Sequence, residues 1–170
     1  EMGKTGLHTV LSTGMATLSE IDNAVNAFRS TGNNKLTLLH CTSSYPTPPS
    51  SVNLKRIKTL KECFACDIGF SDHTEGNTAS IGSINYGTTW IEKHFTLSKT
   101  LKGPDHRFSS DPAQFSSLVK DIREKQIPAL KDREMQMLTK IDEVRATESP
   151  IITTARNEIA RILIISMLER

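Results

Sequence analysis

The sequence holds 170 residues, 36% hydrophobic and 24% charged, an ordinary globular composition at a length for one domain or one and a fraction, which excludes a disordered or fibrous chain. Its 21 basic and 19 acidic residues are interspersed and leave a net charge of +2, so no basic stripe points to nucleic acid. The longest apolar run, Ile159 to Leu168, is interrupted by Arg161 and falls short of the ~18 residues that argue for a membrane span.

Thr9 to Ser12 reads as a short strand that runs into a Ser-Thr-Gly turn signal. Thr17-Leu-Ser-Glu20 then has the spacing of a capping box, and Ile21, Val25 and Phe28 follow at helical intervals until Gly32 stops the helix. Leu36 to Leu39 is a second strand, continuous in Leu and Thr as a strand covered on both faces should be. Pro46, Pro48 and Pro49 force an extended loop before a helix carrying Leu54, Ile57, Leu60 and Phe64.

Asp67 to Phe70 is the third strand, and Asn77 to Tyr86 a short helix whose small residues let it pack closely, ended by Gly87. Thr89 to Glu92 is the fourth strand. After a long polar loop from Thr96 to Ser110, Asp111-Pro112 offers an N-cap followed by proline at the first helical position, and Phe115, Leu118, Val119 and Ile122 give the helical stripe. Pro128 ends or kinks that helix. Residues 131 to 145 read as a charged amphipathic helix broken at Glu148-Ser-Pro150, and 151 to 170 fit helix or strand equally well.

The strand-end residues Ser12, His40, Ser71 and His94 lie 28, 31 and 23 residues apart, the period of repeated strand-helix units around a parallel sheet. A doubly wound sheet would carry a Gly-rich phosphate turn, and no G-x-G-x-x-G is present. A (β/α)8 barrel places polar chemistry at the C-terminal end of every strand, the pattern seen here four times. The expected architecture is α/β: a partial (β/α)8 TIM barrel of about four strand-helix units over residues 1–126, a helical linker over 127–150 and a terminal segment over 151–170. Four strands leave two open edges and an uncovered inner face. Either two chains complete one barrel, or this is the second half of a longer protein, which the opening Glu1-Met2 favours.

Cys41, Cys63 and Cys66 are an odd set without a secretory leader or an Asn-x-Ser/Thr acceptor, so reduced thiols in a cytoplasmic protein are expected. Cys63-Phe-Ala-Cys66 has zinc-knuckle spacing but lacks a second ligand pair and spans a helix end and a strand start. Two buried thiols are expected there instead. Ser-Asp-His73 and Glu-Lys-His94 each close a short apolar run. If their strands are parallel neighbours, both imidazoles emerge on one rim and form a candidate metal site, while Lys93 faces outward by strand alternation.

Five segments then carry a resemblance: His40-Cys-Thr-Ser-Ser-Tyr-Pro-Thr-Pro48, Val52-Asn-Leu-Lys-Arg-Ile-Lys-Thr-Leu60, Gly69-Phe-Ser-Asp-His-Thr74, Ile91-Glu-Lys-His-Phe-Thr96 and Gly103-Pro-Asp-His106. Over about residues 5 to 125 the chain resembles the sialic acid synthase (N-acetylneuraminate synthase) family, which includes legionaminic and pseudaminic acid synthases and a spore-coat polysaccharide synthase. In that family these motifs lie on strands five to eight of the barrel. The tail around Thr153 to Arg161 resembles, more weakly, the segment leading into the family's small antifreeze-like domain, which would be absent here or barely begun.

The resemblance implies condensation of phosphoenolpyruvate with an N-acyl hexosamine to a nine-carbon 2-keto acid plus phosphate. It implies that His73 and His94 hold a divalent ion, Mn2+ or Mg2+, that Ser12, Ser43 and Ser71 bind phosphoenolpyruvate, and that Tyr45 and Asp105 contact the sugar. Glu92 is expected in the barrel mouth beside His94, where it and Asp105 are the catalytic candidates. The family's principal catalytic glutamate and phosphate-binding lysines belong to its first four strands, and an arginine comes from a partner in the homodimer expected of the full-length protein. Alone, this chain is expected to be inactive. Two rivals stand beside this reading: a non-catalytic half-barrel assembly subunit, and another phosphoenolpyruvate-dependent sugar-acid synthase, for which no spare Arg pair is seen at the strand ends.

Overall fold

The computed structural model describes residues 1–124, so the expected linker and terminal segment lie outside the described residues. Four strands, β1 (Thr9–Ser12), β2 (Leu36–Cys41), β3 (Asp67–Asp72) and β4 (Trp90–Lys93), form a wholly parallel sheet in the order β1-β2-β3-β4. Parallel neighbours require long crossovers, and these are supplied by α1 (Leu18–Arg29), α2 (Lys55–Phe64) and α3 (Thr78–Ile84). A fourth helix, α4, covers 112–124. Because the strand order never reverses, the sheet is singly wound, which is the arrangement of a barrel and not of a doubly wound sheet. The described residues form half of a (β/α)8 cylinder.

Both sequence-predicted caps are present. In α1 the Glu20 carboxylate accepts from the Thr17 N–H at 2.8 Å while the Thr17 hydroxyl accepts from the Glu20 N–H at 3.3 Å. At the start of α4, Asp111 and Gln114 make the same reciprocal pair, at 2.8 and 3.2 Å. These bonds satisfy backbone donors that a helix start would otherwise leave unpaired.

Strand alternation sorts the side chains into two sets. Leu36, Leu38, Ile68 and Phe70 face the helices and join Ile21, Val25, Phe28, Ile57, Leu60 and Phe64 in one core. On the other face, in register across the sheet, stand Ser12, Leu39, Gly69 and Trp90, and above them Cys41, Ser71 and Glu92. Val10 and Trp90, on the inner face of the two edge strands, are 40% and 46% exposed. The cylinder's interior is thus half lined by the described residues.

Three expectations change. Strands β2 and β3 run two residues further than their apolar runs: His40 and Cys41 pair with Phe70 and Ser71, and Ser71 and Asp72 meet β4 groups that satisfy them. His40 does not reach the mouth. Alternation turns it toward the helices, where its Nε2–H donates to the Val52 carbonyl at 2.7 Å and its ring stacks on Phe70. Cys63 is exposed, not buried, since α2 buries Ile57, Leu60 and Phe64 and residue 63 falls off that stripe. Cys66, half-buried against the core, keeps its thiol pushed up by burial.

Candidate active site

The rim residues of β3 and β4 follow directly from the register. Asp72 pairs with Lys93, so the next residue on each strand, His73 and His94, leaves the sheet side by side. Their ring centroids lie 5.3 Å apart in an edge-on arrangement. Tyr45, carried by the proline loop after β2, sits over both, 4.2 Å from His73 and 5.5 Å from His94. Phe108 closes the other side of His94 at 5.5 Å.

His73 is held by a backbone partner: its Nδ1 lies 2.8 Å from the Thr42 carbonyl, which can only accept, so Nδ1–H donates there and Nε2 is the nitrogen left toward the mouth. Beside Nε2 at 3.2 Å is the Ser71 hydroxyl. That hydroxyl has a single proton, and the Glu92 carboxylate takes it at 2.6 Å. In a neutral ring with Nδ1–H bonded to Thr42, Nε2 is the nitrogen able to bind a cation. The residues present fit two ligand positions of a divalent cation: one nitrogen oriented by a backbone carbonyl, in the usual second-shell manner, and a second imidazole beside it. Among the described residues no three His, Cys, Asp or Glu side chains converge as a cage, which leaves the other positions of such an ion to water or to a bound molecule.

The remaining candidates are spread around this centre. Glu92 lies one register level below the histidines, level with Ser71 and Cys41. Asp105, on the loop after β4, has an exposed carboxylate 3.8 Å from His94 Nδ1, an electrostatic neighbour and not a hydrogen bond. The loop is anchored there by Ser110 N–H to the His94 carbonyl at 2.8 Å and by Thr96 N–H to the Ser110 carbonyl at 2.9 Å. Ser43 stands beside Gly14, where an added Cβ would come within 2.7 Å of its hydroxyl and 2.8 Å of the Cys41 sulfur. Ser12, at the end of β1, is exposed on the level of Leu39. The three serines do not hydrogen-bond one another, and only Ser71 touches the histidine centre.

Sequence reasoning does not find three participants. Cys41 projects into the mouth, its thiol pushed up by burial against the opposing pull of the Gly14 and Thr13 N–H groups, so it is held neutral. Thr42 contributes a carbonyl, and backbone groups leave no residue signature. Phe108 is an aromatic in a polar loop, and its isolation is the one available signal. Lys93 is outward-facing as expected but is not solvated: its ammonium lies in the strand-helix layer, 3.0 Å from Asp72 Oδ2 and 2.7 Å from the Thr74 carbonyl. The His106 ring bonds the Thr96 hydroxyl at 2.7 Å.

Comparison with known proteins bears on the fold and the family. Residues 1–153 match the model of the NeuB family. The N,N'-diacetyllegionaminic acid synthase of Campylobacter jejuni is 44% identical over 126 residues, 73% of this chain and 38% of that protein. The crystal structure of the spore coat polysaccharide biosynthesis protein SpsE of Bacillus subtilis superposes with a TM-score of 0.73 at 34% identity, over 76% of this chain and 37% of that one. That of the N-acetylneuraminic acid synthetase of Leptospira borgpetersenii gives 0.70 at 34% identity, over 80% and 50%. The chain thus spans between 37% and 50% of the length of these relatives. The parallel half-barrel and the family match over most of the sequence lead to one conclusion: the chain belongs to the NeuB family, among whose members are sugar-acid synthases.

Proposed function

We propose that the complete barrel protein condenses phosphoenolpyruvate with the open-chain aldehyde of an N-acyl hexosamine, with His73 and His94 holding a Mn2+ or Mg2+ ion. Carbon-3 of phosphoenolpyruvate bonds to the aldehyde carbon, water adds at carbon-2, and phosphate leaves, giving a nine-carbon 2-keto acid. When bound, the ion supplies Lewis-acid polarisation of the aldehyde oxygen. The observation that carries the reading is the pair of imidazoles 5.3 Å apart on adjacent strand ends, one of them oriented by its Nδ1–H bond to the Thr42 carbonyl.

The chain's own groups divide the remaining tasks. Glu92, which accepts a hydrogen bond from the Ser71 hydroxyl, is placed to take a proton from water or a hydroxyl entering the mouth. Ser12 and Ser43 offer exposed hydroxyls to phosphoenolpyruvate, and Ser71 reaches it by exchanging Glu92 for the ligand. Tyr45 and Phe108 form an apolar wall that excludes water from one side of His94 and gives the sugar's carbon face a surface to rest on. Asp105, charged and exposed, accepts sugar hydroxyls. The cations that grip phosphate come from strands outside this chain.

The test is turnover by the complete barrel protein with phosphoenolpyruvate, Mn2+ and a panel of N-acyl hexosamines. Phosphate and 2-keto acid released in equal amounts, and only with an aldehyde present, is the expected result. Absence of both products across the panel sinks the proposal.

A further inference from the structure

Asp72 and Lys93 lie on the opposite side of the strands from the mouth, yet each directly precedes one of the two histidines. Their side chains are 0% and 3% exposed and meet at 3.0 Å. The carboxylate is saturated. Its Oδ1 accepts from the Thr74 N–H at 2.8 Å and the Thr74 hydroxyl at 2.7 Å, and its Oδ2 accepts from Lys93 and from the Ser80 hydroxyl of α3 at 2.5 Å. The ammonium donates in addition to the Thr74 carbonyl at 2.7 Å. One lysine thus grips the chain on both sides of His73, while its own backbone leads straight into His94.

A buried ion pair of this kind is weak evidence for stability, because desolvation consumes most of what the attraction returns. The geometry points to a different use. We infer that the Asp72–Lys93 tie is a positioning device: it fixes the residues before and after His73 to the residue before His94, and so sets the separation and orientation of the two rings. This inference rests on the proposed role of those rings as metal ligands and assigns the control of that site to residues which touch neither metal nor substrate. The tie also explains why α3 is built from small residues. Ser80 and Ser83 are fully buried, and Ser80 can donate to the carboxylate because the helix lies close against the strands.

The experiment uses the complete barrel protein and the double variant Asp72→Asn with Lys93→Met, which removes both charges together and leaves neither unpaired. Mn2+ affinity and the EPR line shape of bound Mn2+ are measured beside thermal melting and steady-state kinetics. The expected result is a Mn2+ Kd raised about 10–100-fold, the range seen when second-shell support is lost, with an altered line shape, lower kcat, and KM for phosphoenolpyruvate and Tm close to the parent's. Parental Mn2+ affinity and line shape in the double variant overturn the tie while leaving the metal reading intact. A parent that does not bind Mn2+, or whose binding survives His73→Ala and His94→Ala, overturns the metal reading and this inference with it. If the double variant does not fold, Ser80→Ala, which deletes one of the four donors and keeps the ion pair, decides. A weaker Mn2+ Kd at unchanged Tm supports the tie, and a parental Kd rejects it.

Discussion

The Ser71 hydroxyl donates to Glu92 Oε1 across 2.6 Å and thereby joins the penultimate residues of β3 and β4 on the inner face of the sheet. The bond places the Glu92 carboxyl group one level below two imidazoles.

Glu92→Gln keeps the shape and the ability to accept from Ser71 but removes the charge. In the complete barrel protein it is expected to lower kcat by about 10²–10⁴-fold, the usual worth of a positioned acid or base, with little change in Tm. Steady-state kinetics beside a melting curve checks this. A normal kcat would reduce Glu92 to a strand tie.

Metal removal is the second prediction. Dialysis of the complete protein against a chelator is expected to abolish turnover, and added Mn2+ to restore it. His73→Ala is expected to stay inactive after the same addition, because the ring oriented by the Thr42 carbonyl is gone. Chelator-treated protein that retains its full rate would overturn the assignment of His73 and His94.

Much of this could be read from the sequence, for identifiable reasons. Leu36 to Leu39 is legible because a strand buried on both faces is apolar throughout, and the capping box at Thr17 and the N-cap at Asp111 are legible because their chemistry is local. Ser71 and Asp72 look like loop because polarity at a strand end is ambiguous. They belong to β3 only because Glu92, Lys93 and Ser80, far away in sequence, complete their hydrogen bonds. His40 misleads for a related reason: it shares the parity of Leu36 and Leu38, and a run that is apolar throughout does not show which of its two alternating faces meets the helices.

Gly69 tests the inner packing. It shares a register level with Leu39 and Trp90, and an added Cβ would collide with Leu39 Cδ2 and come within 2.8 Å of both Cβ and the backbone oxygen of Trp90. The backbone oxygen cannot move without shifting β4, so relief by rotamer change is incomplete. Gly69→Ala is expected to cost at least about 1–3 kcal/mol, the range for overpacked cores, read as a lower denaturation midpoint of the complete protein. A variant as stable as the parent would show that the strands can part at this level.

His40 predicts a pH dependence of stability. Its ring is buried at 1% exposure, and burial pulls its pKa below the ordinary 6.5, against the opposing effect of its bond to the Val52 carbonyl. In the folded protein the ring is therefore neutral, with Nε2–H donating, down to a lower pH than in the unfolded chain. As pH falls through about 6.5 the unfolded state takes up the proton first, so it binds more protons than the folded state and stability drops. The contribution is fully present above 6.5 and is lost progressively below it. Denaturant midpoints measured from pH 8 to 5 are expected to hold and then fall in the parent. In His40→Gln, which can donate to the same carbonyl but does not titrate, the fall is expected to be shallower. Equal slopes in the two proteins would show that the pH dependence arises elsewhere.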